Sequence, residues 1–173
     1  MGRRRTIPDD EIFAAIRRML AEGGDKAVSF QTVSRAVGLV PSTLAQRYAS
    51  RDGMVQAALL SAWDAYDLRT AEAEATAPLS EKGAVQFLKA LSDEDEAPVD
   101  LALLAVDFRD PVLRARAAAW RARVELALTV RLGGGAKGRE AAGILFLAWQ
   151  GQAVWRAAGG RAFRLKDAVR RLT

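Results

Sequence analysis

Residues 29–48 read SFQTVSRAVGLVPSTLAQRY, and this stretch predicts two short helices joined at a glycine. Ser29 is a favourable helix N-cap residue, because its hydroxyl can accept a hydrogen bond from a free backbone N–H of the first turn. Gly38 tolerates the positive φ that a sharp turn requires, and Pro41 suits the first turn of the next helix. With a packing helix before them, the two helices predict a tri-helical helix-turn-helix, whose third helix can lie in a DNA major groove.

The spacing within the third helix sorts its residues by role. If Leu39, Leu44 and Tyr48 face the core, an outer face remains within reach of base edges and phosphates. On that face Gln46 can pair with adenine and Arg47 with guanine, each contributing about 1–3 kcal/mol of discrimination. The residues of this helix that we predict to contact DNA are Ser42, Thr43, Gln46 and Arg47.

Residues on either side of the third helix extend the predicted DNA-binding surface. The basic residues Arg3, Arg4 and Arg5 are expected to form an arm for the DNA backbone or an adjacent minor groove. Arg51 is placed to meet a phosphate, and Ser29 completes the predicted set. The alternative from pattern alone is a small amphipathic helical bundle with a solvated basic tail.

The composition is that of a folded protein with few catalytic side chains. The 173 residues are 50% hydrophobic, and a net charge of +5 with a pI near 10.1 suits an anionic partner. The absence of cysteine excludes disulfides and thiolate chemistry, and the absence of histidine removes the commonest general base. The sequence carries no glycine-rich phosphate loop either, so we predict neither an enzyme nor a cofactor or metal site.

Apolar residues recur at helical spacing and no stretch alternates long enough for a sheet, which predicts an all-α fold. We expect a helix-turn-helix domain over residues 1–51 and a helical effector-binding and dimerisation domain over residues 52–173. The most apolar stretch, Ala141–Trp149, is shorter than a membrane span, and acidic residues follow the basic N-terminus where a signal peptide needs an apolar run. This predicts a cytoplasmic protein without membrane contact. The helices are expected at about 9–21, 29–38, 41–49, 52–75, 80–91, 99–108, 111–132, 139–158 and 165–172.

Residues Glu11–Trp63 resemble the N-terminal domain of the TetR family of transcriptional regulators. The resemblance runs without gaps over about a third of the chain. It is carried by a first helix ending in glycine and by the segments Ser29–Leu39, Pro41–Leu44, Tyr48, Ser50–Arg51 and Met54. In the family the matching pattern is a Thr or Ser cap, an Ile-Ala pair, Ala-Gly-Val, a Thr-Leu-Tyr recognition helix, an aromatic residue, Ser-Lys and Leu.

Two positions depart from the family pattern. Val40 stands where the family usually has a serine that caps the recognition helix, and Ala45 stands where it usually has a phosphate-binding tyrosine. Arg51 keeps the charge of the usual lysine. Phosphate anchoring is therefore expected to depend on Arg47, Arg51 and the N-terminal arginines, and binding should weaken steeply with salt.

The resemblance also implies an architecture for the C-terminal half. Family members dimerise through their last two long helices, here about 111–132 and 139–158, which suggests a homodimer on a palindromic site. The first of these helices carries a seam that a partner helix could fill, at Leu113, Ala117, Trp120, Val124, Ala127 and Leu128. Core packing within one chain is the alternative for that seam.

An effector pocket is expected inside the C-terminal domain. Because few polar residues are predicted in the interior, a hydrophobic or aromatic effector is favoured over a sugar or a metal. Plain core packing is the alternative for each candidate lining residue: Trp63, Tyr66, Phe87, Leu104, Phe108, Trp120, Phe146 and Trp149.

The sequence thus favours a ligand-responsive repressor that binds double-stranded DNA as a homodimer. The alternative is a small-molecule or lipid-binding protein of the same fold that has lost DNA binding, which the residues at positions 40 and 45 would permit.

Overall fold

The computed structural model describes residues 7–92, 108–155, 159 and 164–172, and all regular structure in these residues is helical. The all-α prediction is confirmed. The helices are α1 (Asp9–Gly23), α2 (Phe30–Val37), α3 (Pro41–Tyr48), α4 (Arg51–Thr76), α5 (Glu81–Ser92), α6 (Pro111–Arg131), α7 (Gly135–Trp155) and α8 (Leu165–Leu172), with a 3-10 turn at Asp25–Ala27. The predicted helix at 99–108 lies almost wholly outside the described residues. The helix predicted from Arg139 begins at Gly135 instead.

The chain forms two compact units, Met1–Asp64 and Ala65–Thr173. The division falls inside α4, whereas the sequence analysis placed the domain boundary at residues 51 and 52. The first half of α4 is joined to the helix-turn-helix by a hydrogen bond from Arg17 Nη1 to the Ala58 carbonyl at 3.3 Å. This contact ties α1 to α4 within the first unit.

Local signals fix the ends of α2 and the start of α3. The Ser29 hydroxyl accepts from the Thr32 N–H at 3.1 Å, while the Thr32 hydroxyl accepts from the Ser29 N–H at 2.8 Å. This reciprocal capping box satisfies two donors of the first turn. Gly38 adopts a left-handed conformation at φ 72°, and Pro41 opens α3. The predictions of Ser29 as the N-cap of α2, Gly38 as the turn and Pro41 as the start of α3 are confirmed.

The connection from α3 to α4 holds a strained residue. Ala49 has φ 63° and ψ −45°, and the Ser50 N–H donates to the Tyr48 carbonyl at 2.7 Å. This is a γ-turn with a positive φ at its centre, a conformation that is rare for a residue with a side chain. Sequence patterning contained no sign of it.

We expect Ala49→Gly to stabilise the protein by about 0.5–1 kcal/mol, because glycine relieves more strain in this turn than it adds in unfolded-chain entropy. Urea unfolding followed by circular dichroism measures the change. Ala45→Gly, in the interior of α3, is the matched control and should destabilise by about 1 kcal/mol. A lower unfolding free energy for the Ala49 variant would contradict the assignment of strain.

The second unit is a helical bundle in which α6 packs along α7, and α5 contacts both α6 and α8. Its fully buried side chains include Phe87, Leu88, Val124, Leu128 and Leu145. On its outer side Arg123 pairs with Glu74 at 2.7 Å and Arg116 with Asp67 at 2.5 Å, so α6 is joined to the second half of α4. No helix in the described part of the chain combines the length and apolar character that crossing a bilayer requires.

Candidate DNA-binding surface

Helix α3 is anchored to the rest of its unit by its inner face. Leu44 is fully buried, and the half-buried Tyr48 ring packs against Phe13 of α1, with ring centroids 5.9 Å apart. Ser42 and Gln46 are exposed on the other side, with Thr43 half-buried beside them. The predicted division of α3 into an inner and an outer face agrees with this burial.

The start of α3 lacks a side-chain cap. Val40 occupies the N-cap position, makes no capping hydrogen bond and is 59% exposed. The Thr43 N–H donates to the Val40 carbonyl at 3.0 Å, and Pro41 has no N–H to satisfy. The free N–H groups of this turn can therefore bind water or a DNA phosphate.

Arg47 is joined to the start of α1. Its Nη1 donates to the Asp9 carboxylate at 2.9 Å and to the Ile7 carbonyl at 3.2 Å. The Tyr48 hydroxyl donates to the same Asp9 oxygen at 2.5 Å. Burial, followed by the hydrogen bond to Asp9, raises the pKa of Tyr48 to about 12, so the hydroxyl keeps its proton at neutral pH.

Arg51 is engaged within the chain at all three guanidinium nitrogens. Its Nε donates to the Val28 carbonyl at 3.2 Å, Nη1 to Asp52 at 2.9 Å and Nη2 to the Asp25 carboxylate at 2.6 Å. Nη2 also contacts the Asp25 backbone carbonyl. These bonds tie the 3-10 turn to α4, and a phosphate contact by Arg51, as the sequence predicts, would have to displace some of them.

The remaining predicted DNA contacts fall into two groups. The Ser29 hydroxyl is occupied by the capping box with Thr32, although Ser29 stays half-buried rather than enclosed. Arg3, Arg4 and Arg5 lie outside the described residues. The structure therefore brings together Ser42, Thr43, Gln46 and Arg47 on one helix.

Sequence reasoning missed Asp9, the carboxylate that contacts both Arg47 and Tyr48. Acidic residues in the first turn of a helix interact favourably with its dipole, which gives Asp9 a sufficient local explanation. Asp9 and Arg47 are 38 positions apart, so no local pattern could pair them.

Four of the predicted effector-binding residues form one aromatic cluster in the second unit. Trp120 is the centre, at 5.9 Å from Tyr66, 6.0 Å from Phe146 and 6.3 Å from Trp149 between ring centroids. Its indole N–H donates to the buried Thr70 hydroxyl at 2.9 Å, and that of Trp149 donates to Ser92 at 2.7 Å. The four aromatic rings of this cluster therefore pack against one another around Trp120.

The structure describes three of the other predicted effector-binding residues. Phe87 is buried beneath the guanidinium of Arg131, and Trp63 is buried in the first unit. Phe108 is 44% exposed, and Leu104 lies outside the described residues.

A cavity of about 680 Å³ lies elsewhere in the second unit, where α5 and α7 begin and α6 ends. None of the predicted effector-binding residues lines it. Its basic side chains are Lys82, Arg131 and Lys137. In the described residues, no cluster of carboxylates is suited to a metal ion.

Comparison with known proteins places this arrangement among solved folds. Neither a protein-family model nor a curated protein sequence matches the chain. A transcriptional regulator from Rhodococcus sp. Rha1 superposes with a TM-score of 0.75 at 21% identity, over 96% of this chain and 94% of that chain. The TetR family transcriptional regulator PfmR from Thermus thermophilus gives 0.67 at 18%, over 92% and 93%. The multidrug binding protein EbrR, complexed with imidazole, gives 0.66 at 22%, over 97% and 94%.

The tri-helical unit followed by a helical bundle defines a helix-turn-helix protein. More particularly, the chain has the fold of TetR-family transcriptional regulators, shared over nearly its whole length. The fold predicted from residues Glu11–Trp63 is thereby confirmed, and it extends through the C-terminal half, where the sequence carries no motif.

Proposed function

We propose that this protein is a TetR-like transcriptional regulator that binds double-stranded DNA. The observation that carries the proposal is the outer face of α3, where Ser42 and Gln46 are exposed while Leu44 anchors the helix. A helix so mounted can enter a major groove and present polar side chains to base edges. Such a regulator works in the cytoplasm, with its DNA, and catalyses no reaction.

The proposed regulator acts as a homodimer on a palindromic operator. The α6 seam expected from the sequence is buried within the chain itself and is not available to a partner. A different stripe of α6 is exposed at three- and four-residue spacing and is apolar throughout: Val112, Ala115, Ala119, Ala122, Leu126 and Val130.

Helix α7 also exposes an apolar stripe, which comprises Ile144, Leu147, Ala148 and Trp155. Two adjacent helices that each expose such a face fit a second copy of the same pair, since a two-fold axis brings identical faces together. Small alanines on α6 would let the facing backbones approach closely.

We further propose that the regulator is a repressor released by a hydrophobic or aromatic effector. The aromatic cluster around Trp120 is the proposed binding region, because a flat apolar ligand can replace ring-to-ring contacts there with its own. The ligand would favour a conformation with shifted rings and thereby alter the spacing of the two recognition helices.

Two observations favour the alternative, a small-molecule or lipid-binding protein that has lost DNA binding. Val40 provides no cap, and Arg51 is engaged at every guanidinium nitrogen by its own chain. The cap expected from the family resemblance is therefore absent, and the phosphate contact expected of Arg51 is weakened.

Selection from a random DNA pool distinguishes these functions. We expect the wild-type chain to enrich a palindrome, and Arg47→Ala to bind the enriched sequence about tenfold more weakly, as loss of one bidentate contact implies. Arg18→Ala, an exposed arginine on α1, is the matched control for charge. If the wild type enriches no sequence even at low salt, the alternative function stands in place of the first.

A further inference from the structure

The guanidinium of Arg47 is held at one nitrogen and open along one edge. Nη1 donates to both Asp9 and Ile7, and the adjacent Tyr48 hydroxyl is the largest cause of the raised pKa of Arg47. Nε and Nη2 make no geometrically defined hydrogen bond with a residue that the structure describes. Nε and Nη2 together form the planar pair of donors that makes bidentate hydrogen bonds.

Asp9 is itself fixed from a second side. The Tyr48 hydroxyl donates to the same carboxylate oxygen, and the Tyr48 ring is half-buried against Phe13. The position of the carboxylate therefore follows from the packing of α3 on α1, and the orientation of Arg47 follows from the carboxylate.

We propose that Asp9 is a positioning residue for Arg47, which holds the guanidinium so that its Nε–Nη2 edge faces a pair of acceptors on DNA. This rests on the proposed function, in which α3 binds DNA. The acceptor pair is either O6 and N7 of a guanine or two oxygens of a phosphate, since both match the planar donor pair.

The benefit is preorganisation. A free arginine loses side-chain freedom when it binds, whereas Arg47 is already restricted before DNA arrives. A carboxylate near DNA would otherwise repel phosphates, so positioning and repulsion predict opposite signs for its removal. Removing Asp9 weakens binding if it positions Arg47 and strengthens binding if it only adds negative charge.

The experiment compares Asp9→Ala with Asp10→Ala in the full chain, on the operator recovered from the random pool. Asp10 is exposed in the same turn and interacts through its charge with Arg17 rather than with Arg47, so its variant removes the same charge and leaves the Asp9–Arg47 contact in place. We expect about tenfold weaker binding for Asp9→Ala, and unchanged or tighter binding for Asp10→Ala. Asp9→Asn, which keeps an acceptor for Nη1, should retain part of the affinity.

A second readout separates the two acceptors. If Arg47 contacts guanine, Asp9→Ala relaxes the preference at one base pair of each half-site. If it contacts phosphate, affinity falls equally on all sequences and the salt dependence becomes shallower. If Asp9 has a purely structural role, Asp9→Ala lowers the urea midpoint of unfolding. The base preference and the salt dependence of binding then stay unchanged when variant and wild type are compared at equal concentrations of folded protein, and that result would overturn the proposal.

Two other outcomes also decide the question. Equal or tighter binding of both alanine variants would show that Asp9 only repels DNA, and positioning would then be wrong while DNA binding stands. A wild-type chain that enriches no sequence would remove the proposed function and this inference with it.

Discussion

Leu147→Glu is expected to leave the chain monomeric and to weaken operator binding at least 100-fold. Leu147 is 56% exposed in the apolar stripe of α7, and a second copy is proposed to cover it. The two-fold axis would place a carboxylate in both halves of the interface, and each would lose hydration without gaining a partner. Sedimentation velocity measures the oligomeric state, and fluorescence anisotropy measures operator affinity.

Leu68→Glu is the matched control for this substitution. Leu68 is 69% exposed on α4 and belongs to neither the α6 nor the α7 stripe, so the same change there should leave the oligomer intact. If Leu147→Glu remains a dimer of unchanged affinity, α7 does not contribute to the interface. If both variants dissociate into monomers, the dimer interface includes residues outside the two stripes.

Arg131→Met is expected to lower the free energy of unfolding by about 2–4 kcal/mol. Arg131 is 4% exposed, and its Nη2 donates to the Glu74 and Ala77 carbonyls at 2.9 and 2.8 Å. The Glu74 carbonyl belongs to the last turn of α4 and the Ala77 carbonyl follows it directly, where no further turn of helix supplies a donor. Methionine fills similar volume but leaves both acceptors unsatisfied, and it also loses the contact of the guanidinium with the Phe87 ring at 5.1 Å.

The control for Arg131 is another arginine of the same helix beside an aromatic ring. The Arg121 guanidinium lies 5.3 Å from the Phe146 ring centroid and pairs with Glu125, but the residue is exposed. Arg121→Met should therefore cost no more than about 0.5–1 kcal/mol. Burial lowers the pKa of Arg131, yet it remains protonated, so urea unfolding at neutral pH gives the comparison directly. Similar unfolding free energies for wild type and Arg131→Met would refute the capping role.

The sequence by itself determined the helices of the helix-turn-helix unit and the orientation of its third helix. Ser29, Gly38 and Pro41 act on their own immediate neighbours, so their effects are readable from local spacing. The inward and outward faces of α3 follow likewise from the helical period. For the same reason the absence of a cap at Val40 was predictable.

Tertiary structure alone decided which arginine side chains are engaged within the chain and which apolar faces remain exposed. Asp9 accepts a hydrogen bond from one nitrogen of Arg47, and Asp25 and Asp52 accept hydrogen bonds from Arg51. The contacts of Arg47 with Asp9 and of Arg51 with Asp25 join distant parts of the sequence, so no local pattern encodes them. The sequence predicted that the α6 seam through Trp120 is covered. Only the folded chain shows that its own helices cover the seam and that Leu126 remains exposed. Periodicity specifies that a face must be covered, whereas the folded arrangement of all helices specifies what covers it.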